Sequence, residues 1–425
     1  MTPSPTLRQA SCADDYDPNS MPVDQARALI GRFLTPVQAT ERVHVRSALD
    51  RVLAQDVVSP VAVPGHDNSA MDGWAVRFAD LAGDGATELR RVGESFAGNP
   101  YRGALGPGET VRIFTGGVLP AGSDAVVMQE RATEAAGRVR IAASAISRPG
   151  ENRRFAGEDL KAGQVVFRMG QPIRPAELGM IASLGIGEIT VYRRLRVAFF
   201  STGDELKPIG GPLAEGQIYD SNRYTLYGML TRLSCDVIDM GVVPDVPAEL
   251  ERVLATAAAS ADVVITSGGV SVGEADYVRQ ALDRLGDVLF WKIAMKPGRP
   301  LAYGKIGGAH FFGLPGNPVA VMVTFYQFVR NALLVLQGRP DPGPVPTFKA
   351  VLGAPVRKAP GRTEFQRGIL APDGVGGWSV RTTGDQGSGI LSSMSQANCF
   401  IVLPTATGNV AAGELVDVQL LEGLI

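Results

Sequence analysis

The sequence predicts a multidomain α/β protein, in which a doubly wound, mainly parallel sheet domain is accompanied by β-rich modules. Three observations predict it. Between residues about 195 and 340, near-continuously apolar runs alternate with amphipathic helical stretches. From about 61 to 170, and again near the C-terminus, a glycine-and-polar turn precedes a valine-rich run. The 425 residues also exceed what one hydrophobic core serves, so two to four domains of roughly 100 to 150 residues are expected.

Residues 1 to about 20, "MTPSPTLRQASCADDYDPNS", are polar, proline-marked and aperiodic, the composition of a flexible leader. "VDQARALIGRFL" then sets Ala26, Leu29, Ile30 and Leu34 close to helical spacing, and "RVLAQDVVSPVAVP" turns to short apolar runs ended by proline. "GPGETVRI", "PAGSDAVVM" and "KAGQVVF" repeat one turn-and-strand signature, and "AAGELVDV" returns to it near the end, which predicts compact all-β modules, small barrels or sandwiches. In the alternating region "LRVAFFS", "DVIDMGVV", "DVVITSGG" and "DVLFWKIAM" read as strands, and "SNRYTLYGMLTRL", "PAELERVLATAAA" and "GEADYVRQALDRL" as helices. Leu250, Val253, Leu254 and Ala257 share one helical face. "GRPDPGPVP", residues 338 to 346, is a proline-rich linker before the last module.

Composition narrows the function. With 41 basic and 43 acidic residues spread along the chain and a formal charge of −2, there is no broad positive field for nucleic acid or an anionic membrane. Cys12, Cys235 and Cys399 lie far apart without a CxxC pair, and His44, His66 and His310 are equally scattered, so neither a disulfide framework nor a zinc site is predicted. The apolar stretch "PVAVMVTFYQFVRNALLVLQ" is interrupted by Gln327, Arg330 and Asn331, and the N-terminus lacks a signal-peptide pattern. A soluble cytoplasmic protein is expected.

In open parallel sheets ligands bind beyond the carboxyl ends of the strands. Two such ends repeat one device. "FFSTGDEL" closes one strand with Thr202, Gly203, Asp204 and Glu205, and "VVITSGGVSVGEADY" closes another with Ser267, Gly268, Gly269, Ser271, Glu274 and Asp276. Glycine turns that open helices supply backbone N–H groups for phosphate, which nearby carboxylates would repel. A cation resolves the conflict: Mg²⁺ takes one or two carboxylates together with phosphate oxygens. For Glu274, a first-turn carboxylate balancing the helix dipole is an equal reading.

"WKIAMKPGRP" places Lys292, Lys296 and Arg299 at a strand end where positive charge can hold an oxyanion, and a solvated strand end is the plain alternative. "GLPGNPVA" reads as a helix start, with Asn317 as cap and Pro318 in the first turn. Outside the α/β region, "PGHDNSAMDGWA" crowds Asp67, Asn68, Ser69 and Asp72 into a functional loop. "RRFAGEDLKAG" is open between a site and an internal salt-bridged loop joining Arg153 and Arg154 to Glu158 and Asp159.

The motifs "DNSAMDGWA", "FTGGVLP", "GEDL", "STGDEL", "SGGVSVGEADY", "KPGRP", "GLPGNPVA", "GRTEFQRG" and "QGSGILSSM", in this order and over nearly the whole chain after about residue 20, closely resemble molybdopterin molybdenumtransferase, the MoeA and gephyrin E-domain family. The resemblance implies an elongated homodimer. Its domains would be a discontinuous N-terminal domain (21–60 and 161–190), an inserted β-rich domain (61–160), the α/β molybdopterin-binding domain (191–340) and a C-terminal β-barrel (341–425). The cleft would be shared between the α/β domain of one subunit and the β-rich insertion of the other. The implied reaction takes adenylylated molybdopterin and molybdate, delivers the metal to the dithiolene sulfurs and releases AMP with help from Mg²⁺. Cofactor-biosynthesis proteins and recipient molybdoenzymes are implied partners.

Carried over by motif, Asp72, Thr115, Asp159, Glu205 and Asp276 would be catalytic, with Glu205 and Asp276 holding the metal. Ser267, Gly268, Gly269, Ser271, Asp245, Lys292, Lys296, Arg299, Arg367 and Ser388 would bind substrate. Carboxylates suit Mg²⁺, and lysine, arginine and serine can donate to molybdate oxygens. Trp74 and Arg299 stand where the family often has Tyr and Lys, which changes local donors while keeping an aromatic body and a charge. Two other readings stay open: the preceding adenylyl transfer onto molybdopterin, which resembles only the α/β part, and a non-catalytic dimeric scaffold.

Overall fold

In the computed structural model, which describes residues 20–81, 85–269, 277–374 and 376–421, the valine-rich runs become short strands divided by the glycine turns. The chain separates into two compact units, Val43–Leu49 with Gln55–Ile189, and Met1–Arg42 with Asp50–Ala54 and Thr190–Ile425. The first helix, α1 (Val23–Gly31), belongs to the larger unit, where Val23, Ala26 and Ile30 enter its main core.

The smaller unit is built on β1 (Gly73–Val76), β2 (Thr87–Ser95), β3 (Glu109–Ile113), β4 (Ala125–Met128), β5 (Ala132–Ala135) and β6 (Arg138–Ile141), in the sheet order β4-β1-β3-β2-β6-β5. Only β2 and β3 pair in parallel; the other neighbours are antiparallel. Strand alternation sends Trp74, Val76, Val127 and Val139 to one core and Ala75, Val111, Ile113 and Val126 to another.

In the larger unit, β7 (Arg196–Thr202), α2 (Ser221–Arg232), β8 (Asp236–Val243), α3 (Pro247–Ser260), β9 (Val263–Ser267) and α4 (Tyr277–Leu285) follow the expected alternation. It continues through β10 (Gly286–Lys292), β11 (Pro300–Ile306) and β12 (Ala309–Leu314) into α5 (Pro318–Thr324). The sheet order is β8-β7-β9-β12-β11-β10. The first four strands are mutually parallel, and β11 is antiparallel to both its neighbours. Val197, Phe199, Val263 and Ile265 pack on one face with Leu226 and Leu230 of α2, while Ala198, Phe200 and Val264 pack on the other with Leu250 and Leu254 of α3 and Leu282 of α4. Helices cover both faces, which is why these strands carry no polar alternation.

The expected fourth strand, "DVLFWKIAM", is β10 at the edge, and the fourth parallel place is taken by β12 after the β11–β12 hairpin, an element the alternation did not include. Two reversals leave β10 running with the parallel strands, so Lys292 still ends at their carboxyl edge, opposite Pro300.

Helix α5 runs through a wider turn, Phe325–Val329, into a further helix, Arg330–Leu336. Among the described residues, Pro318–Leu336 is by length and composition apolar enough to cross a membrane, polar interruptions notwithstanding, yet 78% of its most apolar window is buried inside the protein. The C-terminal module comprises β13 (Phe348–Leu352), β14 (Thr363–Pro372), β15 (Trp378–Thr382), β16 (Cys399–Leu403) and β17 (Leu415–Leu420). They pair in the order β14-β15-β13-β17-β16, and β14 pairs again with β16, closing a five-stranded barrel around Leu352, Val380, Ile401 and Val418.

Candidate functional site

The carboxyl edge of the parallel sheet opens into a cleft of about 740 Å³. Both predicted strand ends form its wall: Thr202, Gly203 and Glu205 after β7, and Ser267, Gly268 and Gly269 after β9. Strand order places these two ends side by side, and the connections from β7 and β9 lead away in opposite directions, the position where open α/β sheets bind ligands. Ser271, Glu274 and Asp276 lie outside the described residues.

Gly268 (φ +91°) and Gly269 (φ +66°) occupy the left-handed region, and a Cβ on Gly268 would stand 2.5 Å from the Thr202 carbonyl oxygen. The turn can therefore close against β7 only with bare backbone. Its N–H groups are not all available to an anion, because that of Gly268 donates to the Leu314 carbonyl at 3.1 Å. Ser267 is buried, and its Oγ accepts from Asn222 Nδ2 at 2.8 Å. At the other strand end Thr202 Oγ1 donates to Asp245 Oδ1, and the Asp245 N–H donates to Asp204 Oδ1 at 3.4 Å. Asp245 thus joins the wall from the segment after β8.

The cleft also contains residues that motif reasoning passed over. Asp220 and Asn222, at the start of α2, and Asn317, before α5, all line it. Asn317 occupies the predicted cap position, but its side chain makes no cap hydrogen bond; the backbone carbonyl takes Val321 N–H instead. A ligand wall residue and a helix cap draw on the same residue types, so the sequence signal for all three was present but ambiguous.

The basic residues are placed differently from one another. Lys292, Lys296, Arg299 and Arg367 do not line the cleft in this structure. Lys292 accepts Met21 N–H on its carbonyl at 2.7 Å, and Arg299 Nη2 donates to Ser20 Oγ at 3.0 Å. Half-exposed Lys296 lies 3.7 Å from Glu364, its register partner across a short parallel pairing with β14. Arg367 is buried, 1% exposed, and its guanidinium donates to Ser393 Oγ at 2.9 Å and to the Gly387 carbonyl at 2.9 Å. Ser388 does not itself line the cleft; its carbonyl accepts Val319 N–H at 3.1 Å, and neighbouring Gly389 is part of the wall.

In the smaller unit, Asp72 Oδ1 accepts both the backbone N–H and the hydroxyl of Thr115, each at 2.7 Å. These two bonds, the backbone one foremost, hold the exposed Asp72 carboxyl below its ordinary range. Thr115→Val removes only the hydroxyl bond. The Asp72 pKa should then rise part of the way toward the usual carboxylate value in an NMR titration, and an unmoved pKa would refute the assignment.

Arg153 pairs with Asp67 across 86 residues, and Asp67 also accepts Ala156 N–H at 2.7 Å. The partner of Arg153 is therefore neither Glu158 nor Asp159, the acids nearby in sequence. The pairing of Asn68–Ser69 with Arg153–Arg154 instead knits the two polar loops together, and Asp159, itself exposed, is fixed by its N–H to the Val63 carbonyl at 3.1 Å. Trp74 is a core residue, 4% exposed, with the Arg112 guanidinium 5.0 Å from its ring centroid.

Comparison with known proteins gives a consistent picture. Three family models match, described as the MoeA N-terminal region (domain I and II) over residues 21–185, a probable molybdopterin binding domain over 198–335, and the MoeA C-terminal region (domain IV) over 349–421. The chain is 46% identical over 398 residues to the molybdopterin molybdenumtransferase of Haemophilus influenzae, covering 93% of this chain and 98% of that relative. The chain belongs to the molybdopterin molybdenumtransferase family. A relative of the same name from a Nostoc species is 38% identical, with 91% of this chain and 89% of the relative covered. The crystal structure of a molybdopterin biosynthesis MoeA protein from Pyrococcus horikoshii superposes with a TM-score of 0.82 at 30% identity, over 94% of this chain and all of that one. The fold class read from the sequence, α/β with β-rich modules and a C-terminal barrel, agrees with that neighbour and with the strand pairings described above.

Proposed function

We propose that this protein inserts molybdenum from molybdate into adenylylated molybdopterin and releases AMP, acting in the cytoplasm as a homodimer. The observation that carries the reading is the adjacency of two hydroxyl–glycine strand ends, with Glu205 and Asp245 in the same wall, in a chain of this family. The four-domain division implied by the motifs belongs to the same proposal, as do the catalytic roles of Asp72, Thr115 and Asp159.

Mg²⁺ fits the donor set by chemistry, since the carboxylates here are hard oxygen donors. Among the described residues no three His, Cys, Asp or Glu side chains converge as a metal site, and Asp276 lies outside them. Glu205 and Asp276 would hold it. When bound, the ion would neutralise charge on the phosphoanhydride as AMP leaves. The Gly268–Gly269 turn brings bare backbone to the substrate, and Thr202 fixes the Asp245 carboxylate. Lys292 and Lys296 remain the candidates for attracting molybdate; for Arg367 the burial of its guanidinium favours a supporting role behind the 385–390 loop.

The test supplies purified protein with adenylylated molybdopterin, Mg²⁺ and molybdate, and follows AMP release together with reconstitution of a molybdoenzyme lacking its cofactor. Both are expected, and chelation of the divalent ion should stop both. Glu205→Gln and Asp276→Asn should each slow AMP release at least about tenfold; full activity in the double variant would reject the metal assignment. AMP release without molybdenum delivery would favour a hydrolase. The adenylyltransferase alternative accounts only for the α/β part, whereas family matches extend on both sides of it.

A further inference from the structure

We infer that Asp220 and Asn222 form a pair of hydrogen-bond acceptors that reads the N–H edge of the substrate's pterin ring; this rests on the reading of the cleft given above. Both residues line the cleft, and both are more than nine-tenths buried, at 2% and 7% exposure. Asp220 Oδ1 caps α2 by accepting Arg223 N–H at 3.2 Å. Its Oδ2 is buried without a donor. Asn222 uses its amide nitrogen twice, toward Ser267 Oγ at 2.8 Å and the Gly316 carbonyl at 2.7 Å. Those bonds fix the amide orientation, because a flip would set oxygen against the Gly316 carbonyl. Asn222 Oδ1 is therefore an acceptor, and it too is buried with no donor in the protein.

The Arg223 guanidinium spends its hydrogen bonds on both oxygens of Asp239, at 2.7 and 2.8 Å, and acts on Asp220 only as a nearby charge. Two buried, unsatisfied acceptors two residues apart at the start of α2, one of them a carboxylate, are costly and become favourable when a ligand brings donors. Molybdate and phosphate offer chiefly acceptor oxygens and would be repelled. The pterin's 2-amino group and adjacent ring N3–H are two neighbouring donors on one edge, the complement of this pair. Adenine and ribose present no such adjacent pair of N–H donors.

The test uses the full chain and two fluorescent probes, 6-hydroxymethylpterin and 6-hydroxymethyllumazine, which differ in the 2-amino group. Wild type should bind the pterin at least about tenfold tighter, as sites built around hydrogen bonds reject analogues lacking the donor. Asp220→Asn keeps an oxygen for the α2 cap but replaces the second acceptor by a donor, and should erase the discrimination while AMP affinity stays within about twofold of wild type. Should that variant fold poorly by its thermal midpoint, Asp220→Ser retains a capping oxygen and is read in the same way. Equal binding of the two probes by wild type, or discrimination preserved in the folded variant, overturns the inference; if adenylylated molybdopterin still releases AMP, the proposed function survives it. Loss of AMP affinity in the variant would place the nucleotide at this pair and likewise overturn the assignment. A wild-type protein that neither binds the pterin nor releases AMP would bring down both.

Discussion

Replacing Arg367 by Met should lower the unfolding free energy by about 3–4 kcal/mol, a large fraction of a domain's stability. The guanidinium is buried in the barrel module, where burial pushes its pKa down from the usual arginine value and Asp385 partly opposes the shift. It is accommodated by donating to Ser393 Oγ, to the Gly387 carbonyl and, at 3.4 Å, to the Asp385 carbonyl. Methionine fills much of the volume but leaves those carbonyls without donors. The same loop supplies the Ser388 carbonyl to the first turn of α5 and Gly389 to the cleft, so the loss should propagate to substrate affinity. Arg367→Lys keeps the charge but cannot span the three acceptors with one ammonium, and should recover less than half of the lost stability. Urea unfolding of both variants checks this. A lysine variant as stable as wild type would show that charge alone matters, which the buried fork geometry contradicts.

Arg367 also marks the limit of what the sequence could convey. The resemblance carried by "FQRG" implied a substrate-binding arginine, and its residue type suits an oxyanion; burial and three internal acceptors are properties of the folded barrel that no local pattern encodes. The parallel strands were legible for the opposite reason. "VAFF" and "VVI" are apolar at every position because odd and even residues enter different cores, and that uniformity is itself the signal. The β11–β12 hairpin carried a usable cue as well, the Gly307–Gly308 pair between two apolar runs, which the strand–helix alternation left unassigned. At the site, the hydroxyl–glycine pattern at the two strand ends was readable, and the structure sets Thr202, Gly203, Glu205, Ser267, Gly268 and Gly269 in one cleft wall. Asp220, Asn222 and Asn317 were not readable, since the start of a helix explains an Asx residue without any ligand. Arg153 shows the same limit for ion pairs: nearby acids looked sufficient, and the chain used Asp67 from another loop.

Gly268→Ala should cost about 3 kcal/mol, from left-handed backbone strain together with a clash that has no soft partner. The added Cβ would meet the Thr202 carbonyl oxygen at 2.5 Å, and that carbonyl belongs to β7, whose register with β9 runs to Ser201 opposite Ser267. Relief would have to spread the two strand ends. Spreading them disturbs Thr202, and through it Asp245, so AMP affinity should fall along with stability. At Gly269 the added Cβ would meet chiefly the side chain of buried Val278, with Cγ2 at 2.3 Å, rather than backbone, and the cost should be about 2–3 kcal/mol, below that at 268. Gly316 is the control in the same wall: it has no positive φ, and its nearest neighbour would stand 3.9 Å away, so Gly316→Ala should stay within about 0.5 kcal/mol of wild type. Urea midpoints and AMP titrations on the three variants give the ranking directly. If alanine at 268 behaved like alanine at 316, the close approach of bare backbone to β7 could not be what shapes this end of the cleft.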